Sequence, residues 1–556
     1  MLSDIEIAQA AAPDPIEQVA ERVGLSRDEV EPYGRYKAKI RLEALTRLRG
    51  RPDGKLILIT GMTPTPAGEG KTTTTVGLTD ALCRLGQRAM LAIREPSMGP
   101  CFGVKGGAAG GGYAQVIPMD EINLHFTGDI HAVGAAHNLL AAMLDNHLHW
   151  DNVLGVDPRR VIWKRVIDMN DRSLRHVALG LGGAAHGVPR ESGFEITAAS
   201  EVMAALCLAT DLGDLRDRLD RMIVAETSEG RFVRSGDLKA GGAMTVLLRD
   251  ALKPNLVQTV EKAPAFVHGG PFGNIAHGCN SLVATRLALK LADCVVTEAG
   301  FATDLGAEKF FNIKCRVGGL IPSVAVIVAS VRALKMHGGV SRDALGKEDV
   351  AAVERGLVNL EKHIENIHGF GIPAVVALNQ FSSDTDAEVQ AIHGFCAARG
   401  VKACLSRVWA EGGAGGIDLA RVVLNTLEGR AADFRLLYPL ELPLSEKIET
   451  IATTLYGADG ITLLPQAASK LATYEEQGYG GLPVCVAKTQ ASLSDDPVRK
   501  GRPAGFKVVV RDAKLAAGAG FVVVYTGEIM VMPGLPRRSA AEAIDLDSRG
   551  QTVGLF

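Results

Sequence analysis

The chain has 556 residues, a net charge of −3, 47% apolar and 22% charged residues. That length allows three or four average domains and a cleft between them, in an ordinary globular composition. The charge balance argues against a nucleic-acid surface and against a basic membrane-binding face. Nine cysteines, scattered from Cys83 to Cys485 without a Cys-x-x-Cys pair, point to a reducing compartment and away from a disulfide framework or zinc site. The start, Met1-Leu2-Ser3-Asp4-Ile5-Glu6, lacks the basic-then-apolar order of a signal peptide. The longest apolar run, Leu320 to Ala329, is too short to span a bilayer, so a cytoplasmic protein is expected, with neither nucleic acid nor membrane as partner.

Residues 1–50 read as a charged, helical N-terminal cap. The run Leu56-Ile57-Leu58-Ile59-Thr60 is a buried strand by its apolar, β-branched character. The loop Thr65-Pro66-Ala67-Gly68-Glu69-Gly70-Lys71-Thr72 follows. Next comes a helix with Val76, Ala81, Leu82 and Leu85 on one face and Gly86 as its C-terminal cap. Strand, glycine-rich turn and Lys-Thr at a helix start form a phosphate-binding loop. There the backbone N–H groups cradle phosphates, the lysine reaches the terminal phosphate and the hydroxyl holds Mg²⁺. Thr65 stands where the usual pattern has its first glycine.

Further strands at Arg88–Ile93, Ala292–Thr297 and Ser323–Ala329 alternate with helical stretches from about 55 to 365, which predicts a mainly parallel sheet flanked by helices. Ligands in such sheets bind beyond the carboxyl ends of the strands, giving weight to Arg94-Glu95-Pro96-Ser97, Glu298-Ala299-Gly300-Phe301 and Asn379-Gln380-Phe381. The block Gly103 to Tyr113 has six glycines in eleven residues, so it either bends sharply or lets a ligand approach closely. His125, Asp129, His131 and His137 have poor metal-ligand spacing and read as structural or substrate-contacting groups. The turn His268 to Gly278 is rigid and carries two imidazoles. A strand at Ile372–Leu378 opens a second unit, and β-rich stretches at Phe506–Arg511 and Gly520–Thr526 close a third. Trp409, beside Gly412-Gly413-Ala414-Gly415-Gly416, suits either a core anchor or a stacking platform for a flat heterocycle, with Phe381 as the opposite face.

The loop 65–72, Arg94-Glu95-Pro96-Ser97, the block 103–113, the segment Val328-Ala329-Ser330-Val331-Arg332-Ala333-Leu334-Lys335-Met336-His337-Gly338-Gly339 and Met532-Pro533-Gly534-Leu535-Pro536 together resemble formate–tetrahydrofolate ligase, over nearly the whole chain. The length resembles the monofunctional bacterial form. The resemblance implies an ATP-dependent C–N ligase (EC 6.3.4.3) that makes formyl phosphate and passes the formyl group to N10 of tetrahydrofolate. It implies an α/β fold: a P-loop NTPase-like domain over 1–365, a folate-contacting α/β domain over 366–440 and a C-terminal α/β domain over 441–556. Residues 65–72 would bind ATP, with Lys71 and Arg94 catalytic, Arg94 on the formyl phosphate and Thr72 on the Mg²⁺ that accompanies ATP. Phe381 and Trp409 would sandwich the pterin, with Phe301 and Leu405 lining the slot. MgATP, tetrahydrofolate and formate would be substrates, K⁺ or NH₄⁺ an activator without an assignable site, and the assembly a homotetramer. Ala302-Thr303 and Ser382 depart from the expected Gly-Ala and Pro. The alternative is a P-loop nucleotide switch or maturation factor. Asn379-Gln380-Phe381-Ser382, in the place of a guanine-reading Asn-Lys-x-Asp, lacks both the lysine and the acid.

Overall fold

The computed structural model describes residues 2–66, 68–103, 109–429 and 431–555. Ala67 of the phosphate loop and residues 104–108 of the glycine block therefore lie outside the described residues. Seven strands run parallel in the order Pro264–Val267, Ala89–Ile93, Cys294–Glu298, Lys55–Gly61, Pro322–Ala329, Ala374–Asn379 and Lys402–Ser406. At one edge Asn255–Thr259, Ala38–Ile40 and Val30–Pro32 continue the sheet antiparallel.

The central strands are covered on both faces, which is why they read as unbroken apolar runs. Ile57 and Ile59 face one core with Val324, Val326, Leu78 and Leu82; Leu56 and Leu58 face the other with Ile327, Phe310 and Leu360. The first face is covered by the helices Lys71–Arg84 and Ile417–Gly429. Gly86, at φ +82°, ends the first of these as expected: its N–H donates to Cys83 O, and the next N–H, from Gln87, returns to Leu82 O. Val76 departs from the expected single stripe and faces a separate cluster with Leu91, Ile93 and Val257, because the helix is buried nearly all round.

Strand–helix alternation does not hold throughout 55–365. Between 119 and 253 the helices Asp129–His149, Glu201–Leu208, Leu212–Arg221 and Gly241–Leu248 pack around a core of their own that includes Leu140, Leu144, Trp163 and Met244. The strands Val156–Val161, Ile223–Thr227 and Phe232–Arg234 of this stretch are antiparallel. The unit expected over 366–440 contributes Ala374–Asn379 and Lys402–Ser406 to the edge of the large sheet. The C-terminal strands form at Val508–Val510 and Phe521–Tyr525; the latter lies between Val484–Ala487 and Asp512–Ala516. Their side chains Val486, Val522 and Val524 join the core that holds Phe310 and Phe311.

Candidate active site

The phosphate loop joins the carboxyl end of Lys55–Gly61 to the helix Lys71–Arg84. Gly70 precedes the helix at φ +74°, and a methyl there would stand 2.4 Å from Asn379 Nδ2, so no other residue fits. Asn379 Nδ2 donates to Glu69 O (3.1 Å), tying the loop to a neighbouring strand end. The Glu69 carboxylate accepts from Thr65 N–H at 2.6 Å and stands 3.8 Å from Lys71 Nζ. Thr65, the departure from the usual pattern, thus closes the loop through its backbone. Among the described residues no side chain caps the helix start, and its first turn, Lys71 to Thr73, lines the cleft. Thr72 Oγ1 donates to Glu298 Oε2 at 2.9 Å, from the end of the adjacent strand.

Together these groups form one wall of a cleft of about 630 Å³ at the carboxyl ends of four parallel strands. Lys71, Thr72, Arg94, Glu298 and Phe301 all line it, so the structure brings both residues expected to be catalytic to one cavity. Arg94 Nη1 donates to Pro271 O at 3.2 Å, while its Nε is buried with no partner among the described residues. No ion pair among the described residues joins Arg94 to Glu95, whose buried carboxyl is pushed well above the usual carboxylate range by desolvation, with Asp129 adding to it. Phe301 adopts φ +63°, a left-handed conformation that a non-glycine residue holds at a cost of about 1–3 kcal/mol. Its ring lies where a side chain on Gly273 would stand, at 3.2 Å from that position.

The other pterin-slot candidates lie outside the cleft's lining. Phe381 follows Ala374–Asn379 and lies under the Arg332 guanidinium, 4.2 Å from its carbon to the ring centre. Leu405 is on Lys402–Ser406, in register with Leu378. Trp409 is 40% exposed; its carbonyl accepts from Tyr113 N–H at 2.9 Å, and its indole lies 3.5 Å from where a methyl on Gly111 would stand. The described end of the glycine block therefore rests on Trp409. Among the described residues no ring contact joins Phe381 and Trp409, and neither lines the phosphate cleft, whereas Phe301 does.

Of the histidines, His137 is structural: Nε2–H donates to Lys164 O (3.0 Å), Nδ1 accepts from Ser200 Oγ (2.8 Å), and burial depresses its pKa to about 3. His125 and His131 border a second cavity of about 460 Å³ with Glu95 and Asp168. Gln490 reaches the cleft from the C-terminal region, 490 residues into the chain, and nothing in the local sequence marks it.

A parallel α/β sheet with an open helix N-terminus, a lysine, a hydroxyl–carboxylate pair and an arginine on one cleft defines a protein built to hold a polyanionic ligand at its strand ends. The sequence profile of formate–tetrahydrofolate ligase matches residues 2–556. Relatives carrying that name include those of Granulibacter bethesdensis, 60% identical over 555 residues (100% of this chain, 97% of the relative), and Paracoccus denitrificans, 61% identical over 556 residues (100% of both). A third, from Methylobacterium sp., is 60% identical over 558 residues, again covering 100% of both. The chain belongs to the formate–tetrahydrofolate ligase family and is a ligase. These matches give no support to a nucleotide switch. No helix among the described residues is long and apolar enough to cross a membrane.

Proposed function

We propose that the chain catalyses ATP-dependent ligation of formate to N10 of tetrahydrofolate through formyl phosphate, giving 10-formyltetrahydrofolate, ADP and phosphate. The observation that carries this reading is the convergence of Lys71, Thr72–Glu298 and Arg94 on one cleft, in a chain of this family. Formate is a poor acyl donor. A formate oxygen attacks the γ-phosphorus, the bond to the β-phosphate breaks, and ADP leaves with the electron pair. Lys71 and the N–H groups of the helix start oppose the charge on the transferring phosphoryl group. The N10 lone pair then attacks the formyl carbon, the C–O bond breaks, and phosphate departs with the amine proton. Arg94 grips the phosphoryl oxygens of the mixed anhydride in a two-point fork.

The donor set fits MgATP. Thr72 Oγ1 and Glu298 Oε2, 2.9 Å apart beside the helix start, would hold Mg²⁺, which supplies charge neutralisation on the triphosphate when bound. Phe301, Phe381, Leu405 and Trp409 would make the pterin slot; Phe301 lines the same cleft as Arg94, which supports a slot whose inner end meets the formyl group there. The reading also includes activation by K⁺ or NH₄⁺ and a cytoplasmic homotetramer, which replacement of K⁺ by Na⁺ in the assay and sedimentation velocity test in turn. The function itself is tested by omitting ATP, formate or tetrahydrofolate one at a time. Product, read as the absorbing methenyl form after acidification, should require all three, and ADP release without formate would oppose the proposal.

A further inference from the structure

The turn from Pro264–Val267 to the helix Leu282–Leu291 carries two buried histidines in opposite circumstances. His268 engages both ring nitrogens: Nε2–H donates to Ala251 O at 2.7 Å, and Nδ1 accepts from Ser281 Oγ at 2.6 Å. His277 is fully buried, yet among the described residues neither Nδ1 nor Nε2 has a partner. A neutral imidazole presents one donor and one acceptor, so two unmet positions in one buried ring call for an occupant. The same turn wraps Arg94. Pro271 O takes Arg94 Nη1–H; a methyl on Gly300 would stand 3.6 Å from Arg94 Nη2 and 3.4 Å from Gly278 O, the carbonyl one residue beyond His277. Gly300 N–H donates to that carbonyl at 3.1 Å. Arg94 Nε is itself buried and, among the described residues, unpaired. After burial, Lys314 and then Arg94 are the foremost charges acting on the His277 ring.

We propose that His277 is a positioning residue for Arg94. When the acyl phosphate draws the Nη groups off Pro271 O, Arg94 Nε–H turns onto an imidazole nitrogen of His277 and the fork is held facing the phosphoryl oxygens. The inference rests on the reading of Arg94 as the group that grips formyl phosphate. An uncharged acceptor suits this post better than a carboxylate, which would pair with the guanidinium and spend the charge the phosphate needs. A second cation would be repelled by Arg94, Lys309 and Lys314. The tight backbone around the ring, with Gly278 at φ +63° and a methyl there 2.5 Å from Gly273 Cα, fixes where the imidazole stands.

The test is a double-mutant cycle of His277→Phe with Arg94→Lys, with kcat, the KM of each substrate and ATP affinity by calorimetry as readouts. Arg94→Lys alone should lower kcat roughly 10²- to 10³-fold with ATP affinity kept. His277→Phe should lower kcat roughly 10- to 100-fold with the KM and Kd for ATP unchanged, the size expected for one lost hydrogen bond to a charged group. His277→Gln, which keeps an acceptor, should recover most of that loss, and in the Arg94→Lys background His277→Phe should cost nothing further. Full kcat in His277→Phe, or losses that simply multiply in the double variant, would overturn the inference. Full kcat in Arg94→Lys would instead overturn the reading of Arg94. Should His277→Phe fail to fold, His277→Met carries the same cycle.

Discussion

The phosphate cleft and the polar hub directly behind it are built from the same residue types and treat them in opposite ways. In the hub, His363 Nε2 accepts from Thr63 N–H at 2.8 Å and its Nδ1–H donates to Thr303 Oγ1 at 2.6 Å. His337 Nε2–H donates to Thr63 O at 2.9 Å, and Nδ1 accepts from Gly501 N–H at 3.1 Å. Lys488 and Asp304, both buried, pair at 3.0 Å, and Lys488 also donates to the carbonyls of Thr489, Ser492 and Ser494. Among the described residues, Arg94 Nε and Glu95 Oε2 on the cleft, and both nitrogens of the fully buried His277 beyond its lining, have no partner. The imidazoles of His337 and His363 and the Lys488 ammonium are satisfied within the fold, where a buried unpaired group costs about 1–3 kcal/mol. Arg94 Nε and Glu95 Oε2 are left open beside a cavity, where a ligand or a turned side chain can meet them.

The contrast can be broken first on the cleft side. Lys71→Ala should lower ligation by roughly 10³-fold or more, since the ammonium opposes charge that grows on the transferring phosphoryl group. The melting temperature should stay at the parent value, because among the described residues the one ion pair of the Lys71 ammonium is the long one to Glu69, at 3.8 Å. Near-parent kcat would remove the loop from the chemistry.

On the hub side the effects should be reversed. Asp304→Asn leaves the Lys488 ammonium buried without its counter-charge and should cost about 3 kcal/mol of unfolding free energy. Chemical denaturation measures that, while kcat of the folded enzyme should hold. Loss of kcat without loss of stability would move Asp304 from the hub to the site.

Trp409→Ala probes an aromatic ring outside both, against Gly111–Tyr113. The loss of a stacking platform should raise the KM for tetrahydrofolate by the equivalent of about 1–3 kcal/mol and leave that for ATP alone. Equal shifts for all substrates, or unfolding, would make Trp409 a packing residue for Gly111–Tyr113.

The smallest effect sharpens the contrast through pH. Burial, only partly offset by Asp304 and reinforced by His337, Lys488 and Lys362, depresses the His363 pKa to about 3. Above pH 6.5 the imidazole is neutral whether the chain is folded or not. As pH falls below 6.5 the unfolded chain binds a proton that the folded hub refuses, so this histidine's contribution to stability declines by up to about 1.4 kcal/mol per pH unit. His363→Asn should therefore destabilise more at pH 7 than at pH 5, by denaturation at the two values; a penalty that grows on acidification would contradict a neutral His363.

What was legible in the sequence follows the same division. The phosphate loop, the strand before it and the residues after strand ends, Arg94, Glu298 and Phe301 among them, are marked by local pattern, and they meet in one cleft. The hub and Gln490 were not legible, because Asp304–Lys488 and His363–Thr63 join segments hundreds of residues apart and each residue alone reads as ordinary. Two π-helical stretches, Thr303–Ala307 and Phe310–Cys315, carry no periodicity that would announce them. The apolar alternation across 119–253 mimicked further sheet, since short buried helices and strands share a four-to-eight-residue apolar signature. The strand expected at Ile372–Leu378 forms at Ala374–Asn379, but its pairing to Pro322–Ala329 on one side and to Lys402–Ser406 on the other depends on register that single segments do not carry.

The central claim is that formate is activated by taking the γ-phosphoryl group in the cleft of Lys71 and Arg94. It is tested most directly by supplying formate labelled with ¹⁸O in both oxygens, together with ATP and tetrahydrofolate, and weighing the phosphate released. One formate oxygen becomes the bridge of the mixed anhydride and leaves with the phosphate, so each turnover should place one ¹⁸O in phosphate and leave one in the formyl group. Unlabelled phosphate accompanying normal 10-formyltetrahydrofolate formation would contradict the account.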